Sequence, residues 1–190
     1  MKSYVIKLTE FPDSVKWSKN TYDSAKLHGW DVEYFEGING LKHSLNEYNL
    51  FVNPNHRKSK KSFLRPGTVG CLLSHFLLWQ KSIELNKPVC ILEHDAIIQA
   101  PFPIIHFEDV IKFVKGSEAK PTYIGRWWAS GAGYCVTPVG AKKLVNFAKQ
   151  EGVMPADTML NTGIVNIDFY NHDVVTIDQQ NFSFTWNLSF

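Results

Sequence analysis

Nowhere do the 190 residues string together the eighteen or so apolar residues that a membrane-spanning helix requires. Cysteine is scarce. Cys71, Cys90 and Cys135 are odd in number, far apart, set in apolar segments, and without a C-x-x-C pair. That excludes a disulfide frame and the common zinc spacings, and fits core thiols in a reducing compartment. Charge of one sign is also missing: 20 Lys and Arg face 18 Asp and Glu, a net +2. Such a balance provides no field for nucleic acid or acidic membranes as partners. The chain has no internal repeat, no low-complexity tract and no full dinucleotide-binding glycine fingerprint. Its first residues, Met-Lys-Ser-Tyr-Val-Ile-Lys-Leu, are too short and polar a run for a signal peptide. The expected location is the cytoplasm, and the sequons at Asn181 and Asn187 are then accidental.

At 44% hydrophobic and 20% charged residues, the composition is that of a globular protein, and the length suits one domain over 1–190. Tyr4–Leu8 reads as a strand, a segment capped by Ser14 and running to about Leu27 as a helix, and Asp31–Phe35 as a second strand. A strand, helix and strand at this spacing predict a parallel sheet in an α/β fold. A helix is expected from about Val69 to Leu85, with Leu72, Phe76, Trp79 and Ile83 as its core stripe. Its Ser74–His75 pair is either a hydrogen-bonded core feature or a ligand contact. A short amphipathic segment is expected near Phe107–Val114, and Tyr123–Ile124 as a short strand. Tyr134–Val136 reads as a strand, and Thr137-Pro138 as the start of a helix that Gly152 stops. Asp157–Leu160 is expected as a short helix, then strands over Ile164–Tyr170 and Val174–Asp178.

Val89 to Leu92 reads as a strand covered on both faces, and it ends in Glu93-His94-Asp95. Alternation along a strand sends Glu93 and Asp95 one way and His94 the other. The carboxyl ends of strands in open α/β sheets open into the ligand crevice. Two carboxylates there suit Mg²⁺ or Mn²⁺ shared with substrate phosphates, or else they merely end the strand and cap a turn. Residues 56–65 carry five cations and no carboxylate, which makes a solvated loop or a surface for an anionic substrate. Gly131 and Gly133 permit either a tight bend or close backbone approach to a ligand.

Four stretches, in order, resemble glycosyltransferase family 25, the lipooligosaccharide and collagen galactosyltransferase group. Arg65-Pro-Gly-Thr-Val-Gly-Cys-Leu-Leu-Ser-His-Phe-Leu-Leu-Trp79 is similar to the Gly-Cys-x-x-Ser-His-x-x-x-Trp signature. Ile91-Leu-Glu-His-Asp-Ala96 is similar to its Leu-Glu-Asp-Asp strand end. Gly131 to Leu144 and Pro155-Ala-Asp157 follow in their places. The resemblance implies a GT-A-like, Rossmann-type domain with a mostly parallel sheet flanked by helices. It implies transfer of a hexose, galactose or glucose, from a metal-bound nucleotide diphosphate sugar, a UDP-hexose, to a saccharide or glycolipid acceptor. Inversion at the sugar and a place in lipopolysaccharide biosynthesis go with it. Asp95 is then the principal metal ligand and Glu93 its partner. Ser74, His75, Gly131 and Gly133 contact the donor, and Asp157 is the general base, its rival role being a helix N-cap. His94 stands where the family has an acid, and Thr9–Lys16 lacks the family's arginine. These departures keep open a catalytically inactive relative that binds the donor or a carbohydrate. The carboxylate pair alone would also fit a metal-dependent phosphoryl-transfer enzyme.

Overall fold

A computed structural model describes residues 1–56, 65–114, 118–170 and 172–178. The basic run Arg57 to Leu64, the tail from Gln179 and both sequons lie outside the described residues.

The chain opens with β1 (Lys2–Lys7), α1 (Pro12–Leu27) and β2 (Val32–Glu36), followed by a 3-10 turn at Leu45–Tyr48. Helix α2 (Pro66–Leu85) leads into β3 (Val89–Leu92) and β4 (Ala96–Ile98). Next come β5 (Val110–Lys112), β6 (Ala119–Pro121), β7 (Arg126–Trp128) and β8 (Gly133–Val136). Helices α3 (Pro138–Gln150) and α4 (Ala156–Met159) precede β9 (Ile167–Phe169) and β10 (Val175–Ile177).

Six strands form the central sheet in the order β2-β1-β3-β8-β5-β9. β8 runs antiparallel to both of its neighbours, and the other pairings are parallel. Five strands therefore point one way, the mostly parallel α/β sheet the sequence predicts. Alternation divides the core. Tyr4, Ile6, Val89, Ile91, Tyr134 and Val136 pack on the side of α2 and α3. Val5, Cys90, Leu92, Cys135 and Trp30 pack on the side of α1. Among the described residues no helix is long and apolar enough to cross a membrane.

Three local expectations are corrected. Ser14 does not cap α1: Phe11 is the N-cap and Pro12, with its φ preset, occupies the first turn. The Ser14 hydroxyl instead accepts from the Leu8 backbone N–H at 3.0 Å and pins the β1–α1 loop. The amphipathic segment near Phe107–Val114 is strand β5, all three residues buried, because sheet pairing on both edges overrides the local pattern. Tyr123–Ile124 is the turn of a β6–β7 hairpin, closed by Thr122 N–H to Gly125 O at 2.8 Å.

From β1 the chain passes to β2 on one side, then returns to β3 on the other. The sheet's topological switch point thus lies between β1 and β3, above their carboxyl ends. The loop after β2 lies flat on the first turns of α2. A Cβ on Gly40 would stand 1.9 Å from the Pro66 carbonyl oxygen, and one on Gly70 would stand 2.4 Å from that of Ile38. Both obstacles are backbone and cannot swing away. Gly40→Ala should lower stability by about 1–3 kcal/mol or more, as overpacking does. Urea unfolding checks this, and an unchanged midpoint would refute the close packing.

Candidate active site

A cleft of about 610 Å³, counting space open to solvent, occupies this switch point. Ile6, Leu8, Phe11 and Ile38 make its apolar end. Gly40, Gly67 and Gly70 make a stretch without side chains, and Cys71, Ser74, His75, Glu93, His94 and Asp95 make its polar wall. That size and mixture suit a small-molecule site.

Strand β3 stops at Leu92, and residues 93–95 form a turn closed by Ala96 N–H to Glu93 O at 3.1 Å. The strand alternation expected for these three residues therefore does not apply as drawn, though its outcome is partly kept. Glu93 faces α2, with its Oε1 3.3 Å from His75 Nε2. The His94 ring stacks on Trp17 of α1, centroids 5.4 Å apart. Burial lowers the His94 pKa against the pull of the Glu93 charge. Asp95 sits beside Glu93 with Oδ1 buried and without a hydrogen-bond partner. Burial, then the Glu93 charge, pushes the Asp95 carboxyl up to about 7. Burial also raises Glu93, but the His75 imidazole and then the charges of His94 and Lys112 more than offset it, and its pKa falls. The pair thus splits into one ready carboxylate and one reluctant neighbour.

The turn is held from three sides. Glu93 N–H donates to Ala132 O at 2.9 Å, and Asp178 N–H donates to Asp95 O at 2.9 Å. Thr21 of α1 donates its hydroxyl to His94 O at 2.8 Å. β10 pairs with β4 antiparallel, which brings Asp178 back over the turn.

Ser74 is consumed by structure: its hydroxyl donates to Gly70 O at 2.7 Å and accepts from Ile38 N–H at 2.8 Å. It fastens the glycine loop to α2 at the cleft wall. His75 is held by Tyr134, whose hydroxyl lies 2.8 Å from His75 Nδ1 and accepts from Trp79 Nε1–H at 2.8 Å. Gly131 lies against the carboxylate, where a Cβ would stand 2.7 Å from Glu93 Oε1. Gly133 is placed elsewhere. It pairs with Leu92 inside the sheet and its Cβ position faces Val175, away from the cleft lining. The close-approach reading of Gly133 is corrected to strand packing.

Asp157 is not an N-cap. Pro155 holds that position and Asp157 falls in the first turn of α4, so the capping alternative is withdrawn. It does not line the cleft. Its charge nonetheless acts on Lys112 and Cys71 together with that of Glu93, which places it on the same side of the sheet. Asp168 is in edge strand β9, and Asp173 and Asp178 flank β10.

Two residues that hold the site in place escape sequence reasoning. Lys112 is fully buried and donates from Nζ to the Trp128 carbonyl at 2.8 Å. The chain it holds there runs through Ser130, at φ 77, to the Gly131–Ala132 segment behind Glu93. A lysine amid Val110-Ile-Lys-Phe-Val114 was the available signal. Tyr134, the other, looked like an ordinary core aromatic.

The family model for glycosyltransferase family 25, described as LPS biosynthesis protein, matches residues 1–127. The chain belongs to glycosyltransferase family 25. The match takes in the Glu93–Asp95 turn and α2, whereas Gly131, Gly133 and Asp157 fall beyond it. Curated relatives include a glycosyltransferase 25 family member of Aedes aegypti, 27% identical over 201 aligned positions that cover 89% of this chain and 31% of that one. Another, of Anopheles gambiae, is 26% identical, covering 70% of this chain and 27% of that one. The chain spans less than a third of the length of each of these two relatives. Among solved structures, a glycosyltransferase involved in the glycosylation of the major capsid of PBCV-1 superposes with a TM-score of 0.39 at 12% identity. That match covers 78% of this chain and 67% of the other, and carries no weight at that score.

Lys112 provides a pH signature for this family 25 site. Burial lowers its ammonium to about 8, against the opposing pull of Asp157 and then Glu93. Between that value and the ordinary 10.5 the folded chain holds fewer protons than the unfolded one, so stability from this group rises with pH across the window. Urea unfolding at about pH 7 and about pH 10 should show wild type gaining stability relative to Lys112→Met at the higher pH. A pH-independent difference would mean that no charge is buried there.

Proposed function

We propose that this chain transfers a hexose, galactose or glucose, from a UDP-hexose to a hydroxyl of a saccharide or glycolipid acceptor, with inversion and with a divalent cation. The observation that carries this reading is the Glu93–Asp95 pair at the rim of a switch-point cleft in a family 25 chain.

Mn²⁺ or Mg²⁺ fits the residues present. Asp95 Oδ1 is buried without a partner, and the Glu93 charge opposes ionisation of its neighbour. A dication relieves that repulsion, and both donors are the hard oxygens such ions prefer. Asp95 and Glu93 would hold it, and when bound it supplies Lewis-acid charge to the leaving diphosphate. Tyr134 holds His75, which stands 3.3 Å from Glu93. Gly40, Gly67 and Gly70 leave a wall without side chains along which a donor can lie, and Phe11, Leu8 and Ile38 offer apolar surface for a base. Asp157 is the proposed general base that takes the acceptor proton. The cytoplasmic reading rests on free cysteines, two of them in the core. The basic run at 57–65 would suit an anionic acceptor.

A thermal-shift screen of nucleotide sugars with and without Mn²⁺ tests the donor. A ligand at a hundred times its Kd stabilises by ~2.7 kcal/mol. Asp95→Asn should abolish the Mn²⁺-dependent part of that shift while folding normally, and an undiminished shift would refute the metal assignment.

Asp157→Asn should keep donor binding and lower kcat by about 10²-fold or more, since an amide cannot accept the proton. Transfer at the wild-type rate would move the base to another carboxylate. Donor binding by wild type without transfer to any acceptor would instead identify a binding protein.

A further inference from the structure

Cys71 and His75 stand one helical turn apart on α2, on the face that meets Glu93. One ligand atom from each of the three, Sγ, a ring nitrogen and a carboxylate oxygen, lies within 4.8 Å of the other two. We propose that Cys71, His75 and Glu93 form a second cation site, for a borderline dication such as Zn²⁺, that shares Glu93 with the carboxylate pair.

Three observations carry it. The first is the donor set. Sulfur, imidazole and one carboxylate suit Zn²⁺ or Co²⁺ and disfavour Mg²⁺ and Mn²⁺, whereas Glu93 with Asp95 has the opposite preference. The second is geometry. Zinc bonds of about 2.0–2.3 Å put tetrahedral ligands roughly 3.3–3.8 Å apart. The His75 Nε2 to Glu93 Oε1 separation of 3.3 Å already matches that edge, and Cys71 need close by only an ångström or so. The third is an unmet requirement. His75 is 1% exposed and lines the cleft, and its Nε2, 3.3 Å from Glu93 Oε1, has no hydrogen-bond partner.

The surroundings complete the arrangement. Tyr134 Oη sits at 2.8 Å from His75 Nδ1 and can accept its N–H, the outer-shell contact that leaves Nε2 free to ligate a metal. Asp95 and Asp157 add negative charge around the thiol, which favours a dication. Three protein ligands leave a fourth position facing the cleft.

Co²⁺ tests this without any turnover, so its failure is separate from failure of the transferase reading. Titrating the intact chain with Co²⁺ should raise a near-ultraviolet thiolate-to-metal absorption that equimolar Zn²⁺ bleaches and excess Mg²⁺ does not. Cys71→Ser should remove the band, and Asp95→Asn should keep it. Saturation with Co²⁺ without the band, or a band that survives in folded Cys71→Ser, overturns the proposal. A second measurement needs no variant. Alkylation of Cys71, followed by peptide mass spectrometry, should slow at least tenfold with Zn²⁺ and not with Mg²⁺. An unaltered rate overturns the site as well.

Discussion

The Tyr134 hydroxyl joins the two halves of this molecule. Trp79 and His75, one turn apart on α2, both meet it at 2.8 Å from within the core. Helix and sheet are thereby locked in register at the level of the strand ends. A buried hydroxyl serving two ring nitrogens is costly to break, because each abandoned group loses its only compensation for leaving water. The lock sets His75 3.3 Å from Glu93, and the wall of the cleft inherits its position from the same helix. Ser74 extends the arrangement outward by fastening the glycine loop to α2.

Around this frame the site concentrates acids at one end of the sheet, with the buried Lys112 among them. Glu93, Asp95 and Asp157 all raise the Cys71 thiol beyond what burial does. Lys112 lies under the influence of Asp157 and Glu93 while its hydrogen bonds go to backbone carbonyls at Trp128 and Ala129. Lys112 therefore secures the segment behind Glu93 and partly offsets the acids. That leaves a surplus of negative charge, the condition under which a cation is welcome.

Which features were readable in advance follows from the range of the interactions behind them. Strand β3 was legible to the residue, since Val89-Cys-Ile-Leu92 is apolar on both faces and bounded by charge. The parallel pairing of β1 and β2 followed from the strand–helix–strand order, whereas the place of β3 on the far side of β1 came from the sheet itself. Strand β5 was not legible, because three residues do not establish a period and its partners β8 and β9 come later in the chain. The close-approach reading of Gly133 and the cap reading of Asp157 went wrong for a shared reason. A glycine serves a ligand or a neighbour's side chain, and an aspartate a cap or a site, according to what stands opposite, and Val175 and Pro155 decided those cases.

By itself the sequence determined the α/β class, strand β3 and the acids that follow it, the amphipathic helices and the family, because those rest on local pattern and contiguous motif. Tertiary structure alone decided the rest. It set His75 against Glu93, Cys71 beside them, Lys112 beneath, and Asp178 over the Asp95 backbone. Asp178 and Asp95, joined by a hydrogen bond, lie 83 positions apart. The reason is physical: burial, charge coupling and hydrogen-bond partners are properties of neighbours in space, and only the closed sheet chooses those neighbours.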